Sequence, residues 1–510
     1  MKIRLSRLCR LCAPYWGGWF GRFAMPLALA LAVLTVRTGA QAGERPNIVL
    51  MLADDLGYGD VGFMGATKIR TPNIDRLAAE GLCFTDAHSP SAVCQPTRYA
   101  VLTGRNYWRA TRTGNGFYFQ GDEILMPEVL REQGYATAIF GKWHLGWGLD
   151  RQWPEGMWDA PISHGPNQAG FDYSFAQASG HEWPPFVFVE NDRVYRGDPA
   201  DPLIITRKNP DYWPYAGGQG SSHGAAAAHA AYDVTRLDLE IARRASDWIR
   251  EQESPFFLYL PFFAPHVPLM PSEEFKGTSE AGLLGDFIQQ LDYAVGIVLA
   301  GLDELGLTEN TLVVFTSDNG GCYIQSAMDA GHHSMGPILG LKGDAWEGGH
   351  RVPFIARWPD RIPAGSRSDH LLSLTDLLPT FAAASGVTLP RHAAPDGLNQ
   401  WPLWEQPGLP VSIRNEMIYD GRGKALRHGD WVYLPFQGPG GLFGTFYMEQ
   451  MGYENSDFDG KTLRPDAPPG QLYNIRENLA QTTNLYHQYP EIVAFLDARL
   501  REILRQNQSK

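Results

Sequence analysis

"NIVLMLADD", residues 47–55, sets six consecutive apolar residues before two carboxylates. An apolar run without alternation suits a strand covered on both faces, the situation inside a largely parallel sheet. The same form recurs in "YATAIFGKWH" (135–144), "FFLYLPFFAPH" (256–266) and "TLVVFTSDN" (311–319). Each run ends in polar residues: Asp54 and Asp55, then Lys142 and His144, then His266, then Asp318 and Asn319. Ligands of open α/β sheets bind beyond the carboxyl ends of the strands, so these four runs predict a single site.

Helical patterns alternate with them. "TPNIDRLAAEG" offers Thr71 as N-cap, Pro72 at the first helical position and Gly81 as stop, and "MPEVLREQG" repeats the design with Pro127 and Gly134. Longer amphipathic stretches cover about 234–252 and 282–305. The predicted class is α/β, a large, mostly parallel sheet between helices. "DLLPTFAAASG" closes a helix near residue 385, and Pro/Gly/Trp-rich sequence follows. The short runs "KALRHGDWVYLPF" and "GQLYNI" and a helix over 490–505 then predict a smaller α+β part, 386–510, with an antiparallel sheet. Residues 438–460 read as an irregular excursion.

The chain has 510 residues, enough for a large domain and a small one. Residues 1–42 carry six basic and no acidic side chains, an apolar run over 24–36, and Ala40-Gln41-Ala42 as a small-residue cleavage site. That layout predicts a signal peptide and a periplasmic or secreted protein; an uncleaved anchor is the alternative. The full chain is at −13, and without residues 1–42 it is at −19, so nucleic acid is not an expected partner. No stable membrane insertion is expected after cleavage. Three cysteines then remain, Cys83, Cys94 and Cys322, too few for a disulfide scaffold. Buried thiols at Cys83 and Cys322 are favoured over a pairing of the two.

Asp54, Asp55, Asp318 and Asn319 are hard oxygen donors, the set that suits Ca²⁺ or Mg²⁺. Lys142, His144, His266 and Lys342 add cations and proton carriers. Cys94 and Arg98 share one face of a helix that starts near Cys94, with Pro96 in its first turn.

"CQPTRYAVLTGR" (94–105) resembles the signature of the type I sulfatases, C-x-P-[ST]-R-x-x-x-L-T-G-R, and "GKWHLG" resembles their second signature. "ADDLGYGD", "PNIDRLAAEG", "APHVP", "TSDNGG" and "LKG" with "EGGHRVPFIARWP" resemble further family motifs in the family's order, over residues 46–379. The resemblance implies an alkaline phosphatase-like fold. It implies that a formylglycine-generating enzyme oxidises Cys94 to formylglycine, whose hydrate attacks sulfur with one hydroxyl. The second hydroxyl then expels sulfate and restores the aldehyde. It further implies one Ca²⁺ at Asp54, Asp55, Asp318, Asn319 and the residue made from Cys94. Arg98, Lys142 and Lys342 would hold sulfate, His266 would protonate the leaving oxygen and His144 would assist the elimination. His350 stands where small or aliphatic residues are familiar.

"SPSAVCQPTRYAVLTGRNYWR" and "PPFVFVENDRV" (184–194) are similar to bacterial sulfatases acting on sulfated sugars, N-acetylgalactosamine 6-sulfate among them. His181, Glu182, Trp183, His332 and His333 are candidate sugar contacts, or else plain surface loop residues. A broad arylsulfatase, a phosphonate or phosphodiester hydrolase with the same nucleophile, and an unconverted sulfoglycan-binding protein are competing readings.

Overall fold

The computed structural model describes residues 45–110, 118–119, 121–147, 161–182, 187–196, 232–420, 423–442 and 444–506. The expected signal peptide and Trp183 lie outside them. The strand Asn47–Asp54 runs between Phe256–Pro265 and Thr311–Ser317, parallel to both. Ala136–Lys142 and then Tyr173–Gln177 continue the parallel order beyond Phe256–Pro265. Toward the edges the sheet turns antiparallel, with Phe354–Arg357 against Thr311–Ser317 and Val189–Glu190 against Tyr173–Gln177. Ten strands form this mixed, mostly parallel sheet, as the sequence predicts.

Strand alternation divides its core into two layers. Ile48, Leu50 and Leu52 point to one side, where Tyr99, Leu102, Val129, Leu377 and Phe381 of three helices meet them. Val49, Met51 and Ala53 point to the other, against Ile74, Leu77, Ile241, Ala245, Leu291 and Val295. Each large aliphatic side chain so buried contributes about 1.5–3 kcal/mol. The helix Gly282–Glu304 is apolar and long enough to cross a bilayer, yet it is a core helix packed in this second layer.

Predicted and observed helices agree within a few residues: Pro72–Glu80, Met126–Glu132, Leu237–Arg250, Gly282–Glu304 and Pro490–Arg505. The cap of the first differs. Thr71 occupies the N-cap position without capping the helix; its hydroxyl accepts from the Gly62 N–H at 2.8 Å. Asp292, from the helix Gly282–Glu304, accepts the Asn73 and Ile74 N–H groups instead, at 2.9 and 2.8 Å. The smaller sheet comprises Glu416–Asp420, Lys424–His428, Trp431–Leu434 and Gln471–Asn474, all antiparallel, with Pro490–Arg505 packed on it. Within the excursion over 438–460 the chain forms a short helix, Tyr447–Met451. Cys83 and Cys322 are separate buried thiols, not a pair.

Candidate active site

Because the central strands are parallel, their carboxyl ends share one edge, and the polar residues at the end of each run meet there. Asp55 turns out of its strand at φ 67°, a conformation that Asp tolerates better than most residues. Its N–H donates to Asp318 Oδ1 at 3.2 Å, while the Asp318 N–H donates to the Ala53 carbonyl at 3.1 Å. Asn319 Nδ2 donates to Asp55 Oδ1 at 2.8 Å. Lys142, the last residue of its strand, donates to Asp54 Oδ2 at 2.5 Å. Lys342 lies 2.6 Å from Asp55 Oδ1, and His266 Nε2 lies 3.5 Å from Asp55 Oδ2.

Cys94 opens the helix Cys94–Thr103, which places its side chain at a helix N-terminus with no side-chain cap. Its Sγ is 3.3 Å from His144 Nδ1 and 3.9 Å from Lys142 Nζ. His144 gets there through a left-handed residue, φ 58°, not through strand alternation. One helical turn on, Arg98 is fully buried. Its Nε and Nη2 donate to Asp318 Oδ2 at 2.9 and 2.6 Å, and Nη1 donates to the Lys142 carbonyl at 2.9 Å. The guanidinium is thus committed to a carboxylate and a backbone group, which makes it a brace for Asp318 before anything else.

All ten residues singled out from the sequence therefore fall in one connected cluster. Three carboxylates, Asp54, Asp55 and Asp318, face three fixed cations, Arg98, Lys142 and Lys342. A divalent cation and a sulfate dianion could both enter without changing that balance. Asp54 Oδ1 and Asn319 Oδ1 are buried and accept no hydrogen bond among the described residues. Hard oxygen atoms left with open lone pairs beside other carboxylates fit a Ca²⁺ or Mg²⁺ ion.

Electrostatics assigns protonation states. Burial works to raise Asp54, but Lys142, His266, Arg98 and Lys342 outweigh it and hold the carboxyl well below the usual range. Burial, reinforced by Asp54, pushes Asp318 up to about 7 against the pull of Arg98. Burial pushes the Cys94 thiol up to about 11 despite Lys142 and Lys342. Unmodified, it is a neutral thiol and a poor nucleophile. Burial and the neighbouring Lys142 keep His144 neutral, well below the ordinary histidine value.

The candidate sugar contacts separate. His181 is buried, its Nε2 2.8 Å from the Pro268 carbonyl, and His332 Nε2 lies 2.7 Å from Asp60 Oδ1. Both are engaged by the protein itself. Glu182 sits beside the site, Oε2 3.8 Å from His266 Nδ1, and His333 is partly exposed. His350 is remote in role: fully buried, it stacks on Tyr419 at 3.6 Å, with Nδ1 2.9 Å from His88 Nδ1. One site residue escaped the sequence reading. Cys322 Sγ donates to Asp55 Oδ2 at 3.0 Å, and its position three residues after Asn319 was the available signal.

Comparison with known proteins agrees with this geometry. The chain is 33% identical to an N-acetylgalactosamine-6-O-sulfatase of Bacteroides thetaiotaomicron, over 94% of this chain and 98% of that protein. It is 36% identical to the N-acetylgalactosamine-6-sulfatase of Rattus norvegicus, over 79% and 72% of the two chains. A solved structure from work on glycosaminoglycan metabolism by Bacteroides thetaiotaomicron superposes with a TM-score of 0.75 at 30% identity, covering 90% of this chain and 99% of that one. The Sulfatase family model matches residues 46–387. With these matches spanning the sheet, the cysteine helix and the carboxylate cluster, the chain belongs to the sulfatase family and is a hydrolase of sulfate esters.

Proposed function

We propose that this sulfatase acts on a sulfated carbohydrate, with N-acetylgalactosamine 6-sulfate as its leading substrate, through a formylglycine made from Cys94 and one Ca²⁺. The observation that carries the reading is the placement of Cys94 Sγ between His144 Nδ1 and Lys142 Nζ, at 3.3 and 3.9 Å, beside the cluster of Asp54, Asp55, Asp318 and Asn319. The choice of substrate rests on the N-acetylgalactosamine-6-sulfatases of Bacteroides thetaiotaomicron and Rattus norvegicus.

Asp54, Asp55, Asp318 and Asn319 would hold the ion, with the residue made from Cys94 as a further ligand. Bound there, Ca²⁺ would supply Lewis acidity to a sulfate oxygen and to the nucleophile's hydroxyl. The formylglycine hydrate would supply two hydroxyls on one carbon, one to accept the sulfuryl group and one to expel it. This chain's own residues do the rest. Lys142 and Lys342 grip the anion and offset the charge that develops on it. Arg98 keeps Asp318 aimed at the metal site. His266 carries the proton for the departing sugar oxygen, and neutral His144 accepts a proton from the second hydroxyl. We assign residues 1–42 to export into the periplasm or medium, 43–385 to the catalytic part and 386–510 to the smaller one.

The test is to purify the full chain from cells that contain a formylglycine-generating enzyme and to verify Cys94 conversion by mass spectrometry of its peptide. Defined sulfated mono- and disaccharides are then screened with Ca²⁺ and with chelator. Release of sulfate from N-acetylgalactosamine 6-sulfate, abolished by chelation, is expected. Turnover of phosphonate or phosphodiester substrates without any desulfation would overturn the reading.

A further inference from the structure

The strand that delivers His266 does so out of register. Phe256–Pro265 pairs with Asn47–Asp54 residue for residue until Leu52 lies opposite Pro261; pairing resumes with Asp54 opposite Pro265. Between those pairs one residue, Ala53, faces three, Phe262, Phe263 and Ala264. A bulge of this kind bends a strand and re-aims the side chain beyond it, and it removes amides from the ladder. Here Phe262, Phe263 and Ala264 are all fully buried, so the freed N–H groups have no water to turn to. A buried N–H left unsatisfied is strongly destabilising.

Asp238 meets that need. It is the second residue of the helix Leu237–Arg250 and is only 1% exposed. Its Oδ1 accepts from the Phe263 N–H at 2.8 Å and its Oδ2 from the Ala264 N–H at 3.0 Å. Both oxygens are used on successive amides, three and two residues before His266. The His266 N–H in turn donates to the Phe263 carbonyl at 3.1 Å, which ties the imidazole's backbone to the same bulge. Among side chains of this length, a carboxylate does this best. A carboxylate presents two acceptors and no donor, whereas an amide of the same shape faces one of the two N–H groups with its own NH₂.

We propose that Asp238 is a positioning residue for the reaction, the carboxylate that fixes the bulge so that His266 meets the departing oxygen. It touches no substrate. The inference rests on His266 as the proton donor, and the experiment separates the two claims. Wild type, His266→Ala, Asp238→Asn and the double variant, all as matured full chains, are assayed on aryl sulfates whose phenols rise in pKa from 4-nitrophenol upward. Each slope of log kcat/KM against phenol pKa is read within one preparation, so the folded fraction cancels.

Asp238→Asn should stay near wild type on 4-nitrophenyl sulfate and lose roughly 10²-fold on the poorest leaving group, the scale of a misplaced catalytic group. Inhibition by inorganic sulfate should not change, because Lys142 and Lys342 are untouched. The double variant should match His266→Ala, since a positioning residue has nothing left to position. Equal losses across the series, or additive losses in the double variant, overturn the proposal. A His266→Ala slope equal to wild type would instead remove the proton-donor reading itself. Asp238→Ser, which keeps one acceptor for one amide, should fall between Asp238→Asn and wild type or reproduce Asp238→Asn. It carries the test if Asp238→Asn does not fold, and a wild-type slope in a folded Asp238→Ser also overturns the proposal.

Discussion

Cys94 is a small side chain in a charged neighbourhood, and its thiol is held protonated at about pKa 11 by burial. Were it the nucleophile as a thiolate, Lys142 and Lys342 would have to outweigh that burial, and they do not. Cys94→Ala should therefore abolish sulfate release while the fold stays intact, because the substitution removes one sulfur atom and about 1 kcal/mol or less of packing. Circular dichroism and a thermal melt check the fold, and sulfate release checks the activity; retained wild-type turnover would contradict the assignment. Asp318 serves two partners, the Arg98 guanidinium and the proposed ion. Asp318→Ala should lose bound calcium and all turnover, and it should leave Arg98 buried without its carboxylate. Elemental analysis decides it: one equivalent of calcium retained would exclude Asp318 as a ligand. Both residues were legible in the sequence because each stands at a motif with fixed spacing. Cys322 was not, because its position three residues after Asn319 does not by itself show the contact with Asp55 that the fold makes.

At the scale of elements, the cysteine helix and the four strand ends arise from local pattern. The loop that carries Lys342 does not. Its backbone is held from three directions: the Lys342 N–H donates to the Gly321 carbonyl at 2.9 Å, Gly343 to Ala92 at 2.7 Å and Ala345 to Pro439 at 2.8 Å. Inside the loop, buried Asp344 accepts from the Leu341 N–H at 2.9 Å and from the Tyr447 hydroxyl. Tyr447 belongs to the excursion that sequence left without a register, so this excursion steadies the lysine proposed to bind sulfate. Tyr447→Phe should cost about 1–3 kcal/mol by removing a donor from a buried carboxyl. It should also weaken inhibition by inorganic sulfate several-fold. A melt that drops with an unchanged inhibition constant would limit Tyr447 to a structural role.

Across the whole molecule, a buried polar cluster joins the two sheets. His88 and His350 face each other, flanked by Asp86, Glu347 and Arg351 from the large sheet's side and by Tyr419 and Arg427 from the small one. Burial depresses His350 to about 3 and lowers His88 as well. The folded state keeps these imidazoles neutral, while the unfolded chain takes up protons below about pH 6.5. Their contribution is fully present above that value and declines as pH falls below it, for His350 down toward about 3, by about 1.4 kcal/mol per pH unit for each proton. His350→Gln should therefore flatten the loss of stability between pH 6.5 and 4.5 relative to wild type, measured by urea unfolding. Parallel curves for the two proteins would refute the assignment. The His350 ring fills the space between His88 and Tyr419 at this junction.

The four central strands of the large sheet, the main helices around them, the edge where those strands end, and the ten residues that meet there were readable from the chain. The strands and their ends depend on side-chain periodicity and on the polar residues at each carboxyl end, both local properties, whereas Cys94, Arg98 and Lys342 were legible through the motifs they stand in. Tertiary structure decided who satisfies whom. Asp292 caps a helix 219 residues away, Asp238 supports a bulge 25 residues away, and Tyr447 closes a loop 103 residues away. A buried donor needs whichever acceptor packs against it, and that neighbour is set by the packing of distant elements, not by spacing along the chain.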